Sequence, residues 1–147
     1  MARFSKRSLD NLQGVHPDLV RVMEAAILDT PIDFTITEGL RSDQRQKDLY
    51  AQGRTKAGPR VTNADGVRNL SNHQDAADGK RDGLGQAVDL YPYFDGKVQV
   101  NGPEVDKALH TIAAHIKATA ARLGIAITWG GDWKSPYDPP HFQLTKK

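Results

Sequence analysis

Apolar residues recur at helical spacing in two long segments of the chain. The first is Pro17–Leu28, where proline at the first position and Asp18 in the first turn favour the start of a helix. The second and longest, Pro103–Leu123, is stopped by Gly124. Its apolar stripe predicts a face that packs against a core. The stripe consists of Val105, Leu109, Ile112, Ala113, Ile116 and Ala120.

Shorter helices are predicted at two further places. One is a helical turn at 8–12, ended by Gly14. The other begins at Asp43, is capped by Ser42 and stops near Gly53. Arg41 therefore lies where a strand gives way to a helix, a common location for functional side chains. A solvated arginine or a surface ion pair is the alternative interpretation of Arg41.

Alternation of apolar and polar residues predicts strands elsewhere. Pro92 and the Asp95-Gly96 pair are expected to form a turn, from which 97–100 return as a hairpin. With the helices, these strands predict an α+β fold with a small antiparallel sheet and helices packed on one side. We expect one domain over residues 1–147. The alternating segments are 32–37, 85–91, 125–129 and 141–144.

Between these elements, the segment from Arg54 to Gly85 shows little apolar periodicity and is rich in Gly, Asn, Asp, Lys and Arg. A stretch of this length without regular structure is unusual inside a compact domain and is more often a functional loop. It contains Ser71-Asn72-His73.

Composition narrows the class of protein. With 147 residues, 38% hydrophobic and 26% charged, the chain is typical of a soluble domain with a real core. No apolar run approaches the ~20 residues that span a bilayer, and no apolar segment follows the basic N-terminus as in a secretory signal. We therefore expect no membrane insertion and a cytoplasmic location unless something else releases the protein. The net charge of +2, spread along the chain, does not favour nucleic-acid binding.

The absence of cysteine restricts the chemistry further. It excludes disulfides, thiolate nucleophiles and cysteine-based zinc sites. Any metal must then be held by carboxylates and by some of the five histidines. His16 is interpreted as a local hydrogen-bonding residue, and His110 and His115 are five positions apart, which does not match paired ligands on one helix face.

The remaining candidates are His73, Asp89 and His141. Two imidazoles and one carboxylate form a recognised catalytic zinc set that leaves a fourth position open for water. In its strand, His141 shares a face with Gln143. Taken alone, the C-terminal stretch 129–144 also fits a structural cap with a hydrogen-bonded histidine. Many proteins contain two histidines and two aspartates, so the residue types by themselves do not identify a site.

Two further side chains fit hydrolytic chemistry. Asp138 lies three residues before His141 on a turn stiffened by prolines, where it could take a proton from a metal-activated water. Arg41 would stabilise the oxyanion, because guanidinium donors suit a developing negative charge. The prolines are Pro136, Pro139 and Pro140.

Four ordered motifs carry a family resemblance that covers the chain from about Phe4 to Leu144. The sequence resembles zinc peptidases of the D-Ala-D-Ala carboxypeptidase and phage L-alanyl-D-glutamate endopeptidase type, and the segment 36–45 is similar to the arginine segment of that family. The compact size is most similar to that of phage endolysins. The motifs are Ser71-x-His73, Gly85-x-Ala87-x-Asp89, Trp129-Gly130-Gly131-Asp132-Trp133 and Asp138-x-x-His141-Phe142.

The resemblance implies a Hedgehog/D,D-peptidase-like fold, a Zn²⁺ cofactor and roles for particular residues. It implies cleavage of a bond in the peptidoglycan stem peptide, with the L-alanyl-D-glutamate bond as the preferred candidate. The protein would then be a monomeric endolysin that acts in host lysis. The assigned residues are His73, Asp89 and His141 as zinc ligands, Asp138 as general base, Arg41 near the scissile carbonyl, and Ser71, Gln44 and Trp133 as substrate contacts.

Two alternatives to this function stay open at the level of sequence. One is a D,D-carboxypeptidase of cell-wall remodelling, and the other is a zinc-binding recognition module without catalysis. An inactive module has no need for either Asp138 or Arg41, so the presence of both favours an enzyme.

One departure from the family pattern falls between two proposed ligands. The family usually places glycine three residues after the histidine, whereas Gly85 follows His73 by twelve, so the segment 74–84 contains about nine extra residues. Loop closure costs only about 0.6 kcal/mol per doubling of length, so we expect the extra residues to loop out at the rim of the site and leave the ligands in place. The acidic residues at 75, 78 and 82 do not fit an EF-hand, which disfavours a calcium site.

Overall fold

The computed structural model describes residues 2–41, 43–52, 54, 73–74, 84–134 and 137–145, with the backbone alone at 43 and 44. This part of the chain contains four helices and five strands. A short 3₁₀ turn, Gly130–Asp132, follows the fourth strand. The elements are α1 (Lys6–Leu12), α2 (Pro17–Leu28), β1 (Phe34–Glu38), α3 (Asp43–Ala51), β2 (Ala87–Phe94), β3 (Lys97–Val98), α4 (Pro103–Leu123), β4 (Ile127–Trp129) and β5 (His141–Leu144).

The strands form one antiparallel sheet in the order β1-β2-β5-β4, and β3 pairs with the C-terminal end of β2. β2 is the central strand, and its Asp89 lies opposite Glu38 of β1 and His141 of β5. A β-bulge between Ile36 and Glu38 extends β1 by one residue and brings Glu38 level with Asp89. The sheet thus places three polar residues of three neighbouring strands in one row.

A single hydrophobic core lies between the sheet and the helices. Val88, Leu90 and Phe142 are fully buried and pack with the apolar stripes of α2 and α4. Burial of each such side chain contributes on the order of 1.5–3 kcal/mol. Because successive strand residues point to opposite faces, Asp89 and His141 point away from this core. The α+β fold with helices packed on the sheet is therefore confirmed.

The helix predictions agree closely with the structure. α2 and α4 have the predicted bounds, and every residue of the predicted α4 stripe is buried. Gly124 caps α4 in the left-handed conformation, with φ of 73°. Ser42, predicted to cap α3, lies outside the described residues.

The predicted turn at Pro92 is wrong, because β2 continues through Pro92 to Phe94. Pro92 lacks an N–H, but the bond to β1 at this level comes from Tyr93 N–H, which donates to Asp33 O at 2.8 Å. On its other side, pairing with β5 has already ended at Asp89, so no ladder bond is lost. The turn itself is formed by Asp95 and Gly96, whose φ values of 54° and 77° match the predicted tight hairpin.

Candidate metal centre

Three possible metal ligands converge on the open face of the sheet. The ligand atoms of His73, Asp89 and His141 all lie within 4.8 Å of one another, and within the described part of the chain they form a group that could hold a metal ion. Asp89 Oδ1 is 3.3 Å from His73 Nε2 and 3.4 Å from His141 Nδ1. The structure therefore brings together the three residues that the sequence singled out.

His73 is fixed by main-chain atoms. Its ring is 2% exposed, and Nδ1 lies 2.9 Å from the carbonyl oxygen of Gly39. A carbonyl only accepts, so Nδ1 carries the proton and Nε2 presents a lone pair toward Asp89. The His73 carbonyl in turn accepts a hydrogen bond from Arg41 N at 2.6 Å.

The residues that flank the extra segment, His73 and Gly85, are in contact with each other. A Cβ atom added to Gly85 would lie 2.9 Å from His73 O and 3.2 Å from Leu40 Cα, so only glycine permits this close approach. Residues 75–83 lie outside the described part of the chain, and so does the prediction that they form the rim of the site. The contact between Gly85 and His73 nevertheless agrees with an insertion that leaves the ligands together.

His141 is held by a side chain on its own strand. Its Nε2 lies 2.8 Å from Gln143 Oε1, and both side chains are buried on the face that carries Asp89. Burial lowers the pKa of His141, but the interactions with the Asp89 carboxylate outweigh this effect and raise the pKa above its ordinary value.

The environment of Asp89 gives the strongest electrostatic evidence for a cation site. Its Oδ1 is buried and has no hydrogen-bond partner among the described residues, although two ring nitrogens lie within 3.4 Å. Burial raises the pKa of Asp89, but the interactions with His73 and His141 are stronger and hold the pKa well below its usual range. A carboxylate that stays ionised between two imidazoles is the electrostatic arrangement of a cation site.

Asp138 lies beside the three ligands on a tightly anchored turn. Its Oδ2 is 3.9 Å from His141 Nδ1, and its N–H donates to Gly130 O at 3.0 Å. A side chain at Gly130 would collide with the Asp138 carbonyl, so the backbone approaches closely here. Trp129 Nε1 donates a hydrogen bond of 2.7 Å to Pro139 O and so anchors the same turn. Burial, followed by the charge of Asp89, raises the pKa of Asp138, which makes its carboxylate a better proton acceptor.

Arg41 is buried at the edge of the site in a polar network. Its Nε donates to Glu38 Oε1 at 2.8 Å and its Nη1 to Gln46 Oε1 at 2.6 Å. Its Nη2 faces Asp89 Oδ2 at 3.7 Å. The guanidinium therefore belongs to the site, and the alternative of a solvated surface arginine is wrong because the residue is only 8% exposed.

The other predicted residues are distributed as follows. The Trp133 ring lies over His141, with ring centroids 5.1 Å apart. Ser71 and the side chain of Gln44 lie outside the described residues. Of the other histidines, His16 accepts from Asp18 N at the start of α2, His110 contacts Tyr137, and His115 contacts Ala26 O. These three contacts are structural and lie outside the group of ligand atoms.

Sequence reasoning missed three residues that hold the site, namely Glu38, Gln46 and Gln143. Gln143 could have been found, because its strand position places it on the same face as His141. Glu38 depends on the bulge in β1, and Gln46 on the orientation of α3, and neither leaves a periodic signal.

Two imidazoles and a carboxylate on the open face of an antiparallel sheet, with a second carboxylate beside them, define a candidate mononuclear metal site of the hydrolytic type. The sequence profile of the phage L-alanyl-D-glutamate peptidase family matches residues 1–141. The chain belongs to this family, so the family predicted from the motifs is confirmed.

Individual relatives agree with this membership. The chain is 34% identical to the peptidoglycan L-alanyl-D-glutamate endopeptidase CwlK of Bacillus subtilis over 123 residues, which are 83% of this chain and 66% of that protein. It is 28% identical to the L-alanyl-D-glutamate peptidase of Escherichia phage T5 over 136 residues, 92% of this chain and 85% of that protein. The crystal structure of the Serratia marcescens L-Ala D-Glu endopeptidase ChiX is similar with a TM-score of 0.69 and 33% identity, covering 98% of this chain and 91% of that one.

Proposed function

We propose that this protein is a zinc-dependent peptidase that hydrolyses the L-alanyl-D-glutamate bond of the peptidoglycan stem peptide. The observation that carries the proposal is the convergence of His73, Asp89 and His141 around a buried carboxylate oxygen without a hydrogen-bond partner among the described residues. Family membership and the activities for which the relatives are named support the choice of substrate.

The spacing between Asp89 and each of the two histidines fits zinc. Zinc binds nitrogen and oxygen ligands at about 2.0–2.1 Å in tetrahedral geometry, which separates the ligand atoms by about 3.3–3.4 Å. Asp89 Oδ1 lies 3.3 Å and 3.4 Å from the two ring nitrogens. Larger cations such as calcium prefer six to eight oxygen ligands, so a set with two imidazoles disfavours them.

Each residue around this position has a defined task. A zinc ion in such a site supplies an acidified water and polarises a carbonyl. Asp138 accepts the proton of the attacking water and passes it to the leaving amine, for which its raised pKa and its place beside His141 are suitable. Arg41 adds positive charge next to Asp89, where the oxyanion develops.

The substrate lies across this face of the sheet in the proposal. The Trp133 ring packs over His141 and offers an apolar surface to the stem peptide, and Ser71 and Gln44 contribute polar contacts. None of the described helices combines the length and apolar character that a membrane crossing requires. We place the action of the protein, as a monomer, on the cell wall after release from the infected cell.

The test is mass spectrometry of the products released from purified peptidoglycan by the zinc-loaded protein. Release of fragments with a new N-terminal D-glutamate, absent with Asp138→Asn, is the expected result. Release of free D-alanine would instead identify a D,D-carboxypeptidase. Binding to peptidoglycan without any product would identify a recognition module and contradict the proposal.

A further inference from the structure

The two histidines of the candidate metal centre are oriented by different kinds of acceptor. His73 Nδ1 faces the carbonyl oxygen of Gly39 at 2.9 Å, and His141 Nε2 faces Oε1 of Gln143 at 2.8 Å. The backbone carbonyl can only accept, whereas a side-chain amide can turn either its oxygen or its NH₂ group toward the ring. The tautomer of His141 therefore depends on which end of Gln143 it meets.

Asp89 decides between these two orientations. If the amide donated to His141 Nε2, the neutral ring would carry its proton on Nδ1, directed at Asp89 Oδ1. The Nδ1–Oδ1 distance is 3.4 Å, and Oδ1 accepts no hydrogen bond from any described residue. This distance is also the separation of two ligand atoms on one zinc ion, so His141 shares an ion with Asp89 only when Nδ1 presents a lone pair. Nε2 then carries the proton, and Gln143 Oε1 accepts it.

Gln143 is well placed to maintain this arrangement. Its side chain is 8% exposed, so water does not readily replace its oxygen as the acceptor. Its backbone is paired on both sides, to Ala87 of β2 and Thr128 of β4, which restricts the movement of the side chain. An acceptor on the second ring nitrogen also raises the basicity of the first as a ligand.

We propose that Gln143 is a positioning residue that fixes His141 as an Nδ1 metal ligand. The proposal rests on the proposed zinc site, but it concerns the ring of His141 and not the bond that is cleaved. No comparable side chain is needed at His73, because the backbone of Gly39 performs the same task there.

The test compares three variants by zinc affinity and by ¹⁵N NMR of the histidine rings. Gln143→Met keeps the length of the side chain and removes the strong acceptor, whereas Gln143→Glu keeps an acceptor and cannot donate. Gln99→Met is the matched control, since it also removes one glutamine hydrogen bond of 2.8 Å, from Nε2 to Phe94 O, outside the site. Zinc affinity is measured by competition with a chelator, and folding by the melting temperature of the metal-free protein.

The expected results separate orientation from mere packing. Gln143→Met should weaken zinc binding by roughly 10–100-fold, with Gln143→Glu and Gln99→Met close to the unmodified protein. In the zinc-loaded proteins, the His141 Nε2–H should be hydrogen-bonded and protected from exchange with water in the unmodified and Gln143→Glu proteins, and should lose this protection in Gln143→Met.

Three results would overturn the proposal. They are unchanged zinc affinity and unchanged Nε2–H protection in folded Gln143→Met, an equal loss in folded Gln143→Glu, and binding of zinc through Nε2 of His141 in the unmodified protein. The last measurement needs no variant and decides the matter if Gln143→Met does not fold. None of these readouts uses peptidoglycan, so a failure here is distinct from a failure of the proposed activity.

Discussion

The candidate site joins two regions that are held together by different forces. On β2 and β5, Asp89 and His141 alternate with the core residues Val88, Leu90 and Phe142. Their positions follow from hydrophobic packing on the other face of the same strands. The Arg41 side chain, by contrast, is held by charged and polar contacts with Glu38 and Gln46.

This difference has consequences for how each region responds to substitution. A change in the core alters the stability of the whole sheet but leaves the polar contacts of the folded site in place. A change in the charged network leaves the core intact but exposes a buried charge or leaves it without its partner. The cost in folding free energy is larger than that of losing a surface contact of the same kind.

Removal of a proposed ligand should have the largest effect. His73→Ala and His141→Ala should lose both bound zinc and activity, because two ligands do not retain the ion in competition with water. His110→Ala, whose ring contacts Tyr137 on the surface, should keep both and serves as the control. Zinc content is measured by inductively coupled plasma mass spectrometry. Stoichiometric zinc in His73→Ala would show that the ligand set is wrong.

Removal of the proposed base should separate metal binding from catalysis. Asp138→Asn should bind zinc nearly as the unmodified protein does, because Asp138 is outside the group of three ligands. Its rate of peptide cleavage should fall by about 10²–10⁴-fold, the usual contribution of a general base. Steady-state kinetics on a synthetic stem peptide measure the rate. Loss of zinc from this variant would make Asp138 a ligand instead.

A cavity in the core should destabilise the fold without changing the site. Leu90→Ala removes a fully buried side chain next to Asp89 and should lower the free energy of unfolding by about 2–5 kcal/mol. Zinc affinity per folded molecule should stay within a few-fold of the unmodified value. Denaturant titration of the metal-free protein, with chelator competition, provides both numbers. A large loss of affinity at full folding would show that the two faces of β2 are coupled.

A change in the charged network should affect catalysis as well as stability. Glu38→Gln keeps the shape of the side chain and removes the charge opposite Arg41, so it should cost about 1.5–3 kcal/mol of stability, the value of a hydrogen bond to a charged group. It should also reduce kcat, because the Arg41 guanidinium is no longer fixed opposite Asp89. Lys6→Ala, which removes an exposed ion pair with Asp10, is the control. Equal stability of Glu38→Gln and Lys6→Ala would show that the network around Arg41 contributes no more than an exposed ion pair.

The extra segment should have the smallest effect on the folded site. Since Gly85 packs directly against the His73 carbonyl, removal of residues 75–83 should leave zinc binding intact and change KM for peptidoglycan fragments more than kcat. Zinc content and kinetics of the shortened protein test this. A shortened protein that is unfolded and free of metal would mean that the segment is part of the structure.

The two regions also differ in how far their sequence predicts them. Along β2 and β5, the alternation of Val88, Asp89 and Leu90 and of His141 and Phe142 predicts both the strands and the side chains that leave the core. Histidines in these positions stand out because the chain has only five. Local patterns were therefore sufficient to place Asp89, His141 and α4, whereas His73 lies outside any periodic segment and was singled out by elimination among the histidines.

The charged network could not be predicted in the same way. Glu38 reaches the level of Asp89 only because β1 contains a bulge, and Pro92 remains in its strand only because its neighbour on one side has ended. Both features depend on pairing between residues more than 50 positions apart, which no local pattern encodes. The contact between Gln46 and Arg41 likewise depends on how α3 packs beside the sheet.

The central claim is that one metal ion is held by His73, Asp89 and His141 while Asp138 stays outside its ligand shell. The most direct measurement is anomalous diffraction at the zinc edge from crystals of the zinc-loaded protein. We expect a single strong peak about 2.0–2.2 Å from His73 Nε2, Asp89 Oδ1 and His141 Nδ1, with the Asp138 carboxylate beyond ligand distance. A peak bound to Asp138, or one that excludes any of the three ligands, would contradict it.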